Sequence, residues 1–179
     1  RKKIKPYDLI CLSGKEINRY IVNNFYYIVP NLLGIDYKNE IFSNENLFVK
    51  RIATKPEAMI INDITFAFNT LYSIYDLNKL SKKSLLIILN SKLISFYYEL
   101  VFNLGMNLTT QITVEYLKQI PISIPKEEKE FIQKADLMLE LNKKLQELKQ
   151  NFINELNLEK VPTKLQKFEE LDFDDFVKE

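Results

Sequence analysis

The sequence is 179 residues long, 46% hydrophobic and 27% charged, with a formal net charge of +1, no histidine and one cysteine. That length suits one core plus an appendage, and the composition is that of a globular chain. The lack of His excludes His-ligated zinc, Ser-His-Asp triads and Cys-His pairs, and a lone Cys11 excludes an internal disulfide, as expected of a free buried thiol in a reducing cytoplasm.

The charge is unevenly spread. Residues 1–125 hold 15 Lys/Arg against 10 Asp/Glu, and residues 126–179 hold 10 against 14. A mildly basic body and an acidic end fit a chain in which only the body meets phosphate. The opening RKKIKPYDLI is basic but has no apolar core or cleavage site, so it is not a signal peptide. A start on Arg1 without methionine predicts a piece of a longer protein, the alternative being a trimmed short one.

Residues 1–80 are expected to be strands and turns. Asp8–Leu12 is an apolar run closed by Ser13-Gly14, and Phe25–Val29 is another, ended by Pro30-Asn31. Leu47–Ile52 alternates, with Leu47 and Val49 on one side and Phe48, Lys50 and Ile52 on the other. Ala58–Ile61 is a short apolar run. Ile64–Tyr75 alternates over twelve residues, long enough to predict a bend near Asn69-Thr70.

Ser84 is placed to cap a helix running to about Leu104, with Gly105 in the left-handed stop position. Ser91, Ser95, Glu99 and Asn103 make a narrow polar stripe on it, so the helix is expected to be buried over most of its circumference. The same polar residues, with Asn90 and Lys92, interrupt the most apolar stretch, and no membrane span is expected. Gln111–Tyr116 and Gln119–Ile124 look strand-like, with Pro121 and Pro125 at an edge or exit.

Lys126–Asn157 has no proline or glycine. Phe131, Met138, Leu145 and Phe152 recur every seven residues, with Leu141 and Leu148 between them, predicting a seamed helix of roughly 45 Å. Glu127, Glu128 and Glu130 favour its N-terminus through the helix dipole. The tail LQKFEELDFDDFVKE is either a short amphipathic helix that docks on a neighbouring domain or a flexible acidic end. The expected fold is α+β: a mixed, largely antiparallel sheet with a buried helix, then a long C-terminal helix. Its divisions are 1–125, 126–158 and 159–179.

Catalytic constellations are missing. Asp172, Asp174 and Asp175 cluster in the charged tail, where a solvated face accounts for them better than a metal site held rigid for Mg²⁺. Three glycines leave no phosphate-cradling loop, and no Asn-Pro-Pro-Tyr methylation motif is present. Binding candidates are more numerous. Lys15 and Arg19 would share a face on one helical turn and clamp phosphate. Lys50, Arg51 and Lys55 surround a strand end, where lysines suit the DNA backbone and Arg51 a guanine. Asn69, Thr70 and Tyr72 offer polar groups, and Gln111 closes a polar loop with Asn107, Thr109 and Thr110; glutamine can pair with adenine. Lys92 is a further cation on the helix. Each also has a plain alternative as an exposed turn or strand edge.

In order, LSGKEINRY, ENLFVKRIA, FAFNTLYSI, LLIILNSKLISFYY and YLKQIPISIP resemble the motifs of the TaqI-like specificity domain over residues 8–125. The exit strand followed by a long helix is also similar to type I restriction specificity subunits. The resemblance implies a module that recognises a double-stranded DNA target and has no chemistry or cofactor of its own. It implies a cytoplasmic restriction-modification parent whose adenine methyltransferase and, where fused, endonuclease domains use S-adenosylmethionine and Mg²⁺ on the same polypeptide. The alternative is an interaction or spacer module that uses the seamed helix without touching DNA.

Overall fold

The computed structural model describes residues 9–29, 45–63, 65–75, 77–103, 110–158 and 161–178. The expected stop at Pro30-Asn31, the strand start at Ile64, and Gly105, Asn107 and Thr109 lie outside them. The first strands are β1 (Leu9–Leu12), β2 (Ile17–Asn18), β3 (Ile21–Val22) and β4 (Tyr26–Ile28). They are followed by β5 (Asn46–Lys50), β6 (Ile52–Ala53), β7 (Ala58–Ile61), β8 (Thr65–Ala67) and β9 (Leu71–Ile74). Helices α1 (Lys82–Leu89) and α2 (Lys92–Phe102) precede β10 (Thr110–Gln111), α3 (Val114–Gln119) and α4 (Glu128–Glu155). A 3₁₀ segment (Lys164–Glu170) and α5 (Phe173–Lys178) end the described chain. The fold is α+β, as expected.

Strand β5 organises the sheets. It pairs antiparallel with β7 on one edge and β9 on the other. Its alternating side chains are buried on both faces. Leu47 and Val49 join the cluster of Leu85, Leu86, Leu89, Ile94 and Tyr98. Phe48 joins Ile10, Leu12, Ile17 and Leu71 on the opposite face. The alternation visible in Leu47–Ile52 is therefore a strand between two cores rather than one with a wet side. At roughly 1.5–3 kcal/mol per buried large side chain, these three residues anchor both clusters.

The long alternating stretch is broken where a bend was expected. β8 pairs parallel with β1, which pairs antiparallel with β4 on its other side. β9 pairs with β5 instead. The turn through Phe68, Asn69 and Thr70 carries the chain from one sheet to the other, closed by Leu71 N–H donating to the Phe68 carbonyl at 3.0 Å. β10 pairs antiparallel with β6, and β2 with β3.

The expected single helix is two helices, bent by 61°. Ser81, not Ser84, caps α1, accepting from the Ser84 N–H; Ser84 itself is fully buried. Asn90 ends α1, and Ser91 caps α2 by accepting from the Ile94 N–H at 3.1 Å. Asn90 also reaches across to β7. Its Oδ1 accepts from the Ala58 N–H at 2.8 Å and its Nδ2 donates to the Ala58 carbonyl at 2.9 Å. A buried amide thus serves Ala58 as a neighbouring strand would.

The polar stripe of α2 faces inward at Ser95 and Asn103, while Glu99 lies at its edge with 44% of its side chain exposed. Ser95 and Asn103 are buried, while Leu93, Phe96 and Leu100 are more than 60% exposed. Burial over most of the circumference holds for α1 and not for α2. The described residues contain no single helix long and apolar enough to cross a membrane. Two further expectations differ. Val114–Gln119 is a helix capped by Thr113, and residues 120–125 form no strand. Thr113 supplies the N-cap that the alternation in Gln111–Tyr116 conceals.

The chain divides into two compact units, one through Leu139 and one from Glu140. In the first, the Glu128 carboxylate accepts from the Ser81 N–H and Ala135 is fully buried against the main core. That backbone hydrogen bond is the chief cause holding the Glu128 carboxyl below its ordinary range. In the second, Leu141, Leu145 and Leu148 stay exposed, so the seam is uncovered there. Phe152 meets Phe168 and Phe176, with ring centroids 4.4 and 5.9 Å apart, and Lys149 pairs with Glu169. The acidic tail thereby folds onto the end of α4, its α5 begun by Asp172 accepting from the Asp175 N–H.

Candidate nucleic-acid interface

Seven of the residues singled out in the sequence, Lys15, Lys50, Arg51, Asn69, Thr70, Tyr72 and Gln111, converge where β5 ends, β6 meets β10, and the β8–β9 turn passes. Arg51 lies at the centre. Its N–H donates to the Thr70 carbonyl at 3.0 Å and its Nη1 to the Asn69 carbonyl at 3.1 Å. With the Gln111 amide oxygen turned toward the guanidinium, Arg51 Nη2 and Nε donate to it at 2.6 and 2.8 Å. The Arg51 carbonyl accepts from the Ile112 N–H, and the Tyr72 hydroxyl donates to the Ile112 carbonyl at 3.0 Å. One arginine thus ties three separate chain segments into a crest.

The turn that holds Lys15 joins this crest. Gly14 N–H donates to Thr70 Oγ1 at 2.9 Å. A side chain at position 14 would place its Cβ 3.1 Å from the Thr70 carbonyl oxygen, so the close approach favours glycine, and any other residue needs the Thr70 backbone to give slightly. Glu16 folds the turn back, accepting from the Ser13 N–H and hydroxyl at 2.7 and 2.6 Å. Lys15 is left exposed beside it, as are Asn18, Asn69, Gln111, Ile52 and Phe68. The crest therefore presents a cation, three amides and two apolar side chains around Arg51. Ile52, Phe68 and Asn18 escaped notice in the sequence because their alternation placed them with core residues or in a turn.

Lys50 is more committed. Its Nζ lies 2.6 Å from Glu57 and donates to Asn18 Oδ1 at 2.8 Å, with only 14% of its side chain exposed. A phosphate at Lys50 would have to displace Glu57.

Arg19 and Lys55 are engaged away from this crest, against α2. Lys15 and Arg19 do not share a helical turn: Lys15 lies in the turn before β2, and Arg19 with Tyr20 makes the two-residue turn between β2 and β3. Arg19 Nη2 donates to Ser95 Oγ at 2.6 Å and to the Pro56 carbonyl at 3.2 Å. Tyr20 takes the left-handed conformation, φ 63°, held by its N–H donating to the Ala58 carbonyl. Its ring is buried, which raises its phenol above the ordinary value. Lys55 lies 3.4 Å from Glu99, and Asn103 donates to the Thr54 carbonyl. Lys92, at the start of α2, is exposed.

The described residues contain no group of three or more His, Cys, Asp or Glu placed to hold a metal ion. Cys11 is buried and its thiol raised, first by burial and then by the nearby Glu16. A raised, buried thiol is a poor nucleophile. What the crest offers is hydrogen-bond donors and acceptors beside positive charge, the requirement for reading base edges along a phosphate backbone.

Residues 9–122 match the family described as the TaqI-like C-terminal specificity domain, and the chain belongs to that family. The family serves DNA target recognition in restriction-modification enzymes. Residues 124–179 match a family described only as a domain of unknown function. No curated protein matches the chain.

Proposed function

We propose that this chain reads a short DNA sequence through the Arg51 crest and holds separate adenine-N6 methyltransferase and endonuclease domains on that site. The observation that carries the reading is the convergence of Arg51, Asn69 and Gln111, from three distant segments, beside the Lys15 turn. Arginine suits guanine O6 and N7, and glutamine suits adenine N6 and N7, each worth about 1–3 kcal/mol of discrimination. In the free protein the two side chains satisfy each other, which keeps both in place at the crest. Lys15 then serves phosphate, and Lys50 does so when released from Glu57. On this reading S-adenosylmethionine and Mg²⁺ serve the separate domains, in the cytoplasm where the DNA lies, and the recognition unit uses neither.

Titrating the chain with a pool of randomised duplexes tests it. Binding should be weak, and should fall as salt rises with a slope of about −0.9 per phosphate neutralised. Repeated selection from the pool should enrich one short motif, and Arg51→Ala should abolish the enrichment. No binding at low salt, or enrichment untouched by Arg51→Ala, overturns the proposal.

A second reading, a protein spacer without DNA contact, is favoured by the exposed Leu141, Leu145 and Leu148 of α4. A chain that associates through those leucines and ignores the duplex pool would select it.

A further inference from the structure

Helix α2 is amphipathic in the reverse sense. Ile94, Ser95 and Tyr98 face the core, and Ser95 spends its hydroxyl on the Ser91 carbonyl and on Arg19. Leu93, Phe96 and Leu100 face outward, 73%, 64% and 62% exposed, with Val101 also exposed. At 100° per residue Phe96, Leu100 and Leu93 fall within 60° of one another as an apolar strip, with Val101 beyond Tyr97 at its far edge, and Lys92 and Glu99 lie together along the opposite flank. Such a strip on a short helix is a surface built to be covered.

The flanking charges specify what covers it. Lys92 and Glu99 are seven residues apart, and the midpoint between them falls at Ser95-Phe96, the middle of the strip. Two copies of α2 packed antiparallel about a two-fold axis at that midpoint bring like flanks together. Lys92 of each copy then meets Glu99 of the other, and Phe96 packs beside the axis against Leu93 and Leu100. Among the described residues Glu99 pairs with Lys55, at 3.4 Å with both side chains more than a third exposed, so its carboxylate remains open to a second cation. A lipid surface would call for basic residues along the strip's edge and not for a charge of each sign.

We propose that the outer face of α2 is the contact surface for a second copy of this chain, paired antiparallel with reciprocal Lys92–Glu99 ion pairs. One eleven-residue helix buries less than the roughly 800 Å² per partner of a standard interface, so the dimer is reversible and depends on concentration.

Sedimentation equilibrium of the 179-residue chain over about a hundredfold range of concentration reads the association. A monomer–dimer equilibrium is expected. Phe96→Asp and Leu100→Asp should each weaken it about tenfold or more with the circular dichroism spectrum unchanged, as both side chains are exposed. Lys92→Glu and Glu99→Lys should each weaken it, and the two together should restore it. A monomer at every concentration overturns the proposal. So does a dimer that survives the α2 substitutions but is lost with Leu141→Asp and Leu148→Asp. A double charge exchange no better than either single one also overturns it.

Discussion

The inward face of the Asn90–Asn103 segment and the crest around Arg51 are built from the same kinds of residue, put to opposite uses. Asn90, Ser95 and Asn103 are buried, and each holds the backbone or Arg19: Asn90 takes both polar groups of Ala58, Ser95 the Ser91 carbonyl and Arg19, Asn103 the Thr54 carbonyl. Asn69 and Gln111 are exposed and share one arginine, through a backbone carbonyl in one case and a side-chain amide in the other. Amide side chains on a buried surface satisfy groups that would otherwise cost energy; at an exposed strand end they stay exchangeable, which recognition of a ligand requires. If this contrast is right, substitutions in the first group should cost stability and those in the second should cost binding.

The largest effect is expected at Asn90. Asn90→Ala leaves the Ala58 N–H without its buried acceptor and removes one of two donors to the Ala58 carbonyl. A loss of about 2–3 kcal/mol should follow, read as a lower urea midpoint at unchanged slope. A loss below about 1 kcal/mol would mean that the Asn90–Ala58 pairing is incidental to the fold.

Next comes Arg51. Arg51→Ala should weaken binding to the selected duplex by about 1–3 kcal/mol, and Arg51→Lys should retain part of the affinity while relaxing the sequence preference. Arg19→Ala, by contrast, removes a guanidinium bonded to Ser95 and Pro56. It should lower stability by about 1 kcal/mol and lower affinity less than Arg51→Ala does. Equal losses of affinity at the two arginines would erase the distinction between the regions.

The sequence exposed the strands well, because alternation in Leu47–Ile52 and Ile64–Tyr75 is a local signal, and the bend at Asn69-Thr70 followed from length alone. It misled on α2, where Ser91, Ser95, Glu99 and Asn103 repeat every four residues and look like a solvent stripe. Nothing local says that Arg19 and Thr54 wait on the inner side to receive Ser95 and Asn103. The break at Asn90-Ser91 was hidden for a related reason: the backbone that Asn90 caps lies thirty-two residues away on β7. For the crest, the right residue types were visible but their grouping was not. Lys15 and Arg19 were joined by sequence spacing that a β-hairpin does not honour, whereas Arg51, Asn69 and Gln111 meet only through the sheet pairings β5–β9 and β6–β10.

The smallest effect concerns a buried polar group that serves neither use. The Tyr98 hydroxyl is fully buried and has no hydrogen-bond partner among the described residues. Burial, followed by the neighbouring Tyr116 and Tyr72, pushes its phenol up from 10.0 to about 12. The folded state therefore holds this proton more tightly than the unfolded one. Its contribution to stability is complete below the unfolded value near pH 10 and is lost as pH rises through about 12. Tyr98→Phe removes an unpartnered hydroxyl, so at neutral pH its stability should lie within about 1 kcal/mol of the parent. Between pH 10 and 12 the parent should lose stability more steeply than the variant. Parallel curves over that window would show that the folded state ionises this phenol as readily as the unfolded one, so that water or a hydrogen-bond donor reaches the hydroxyl and its burial carries no penalty for the charged form.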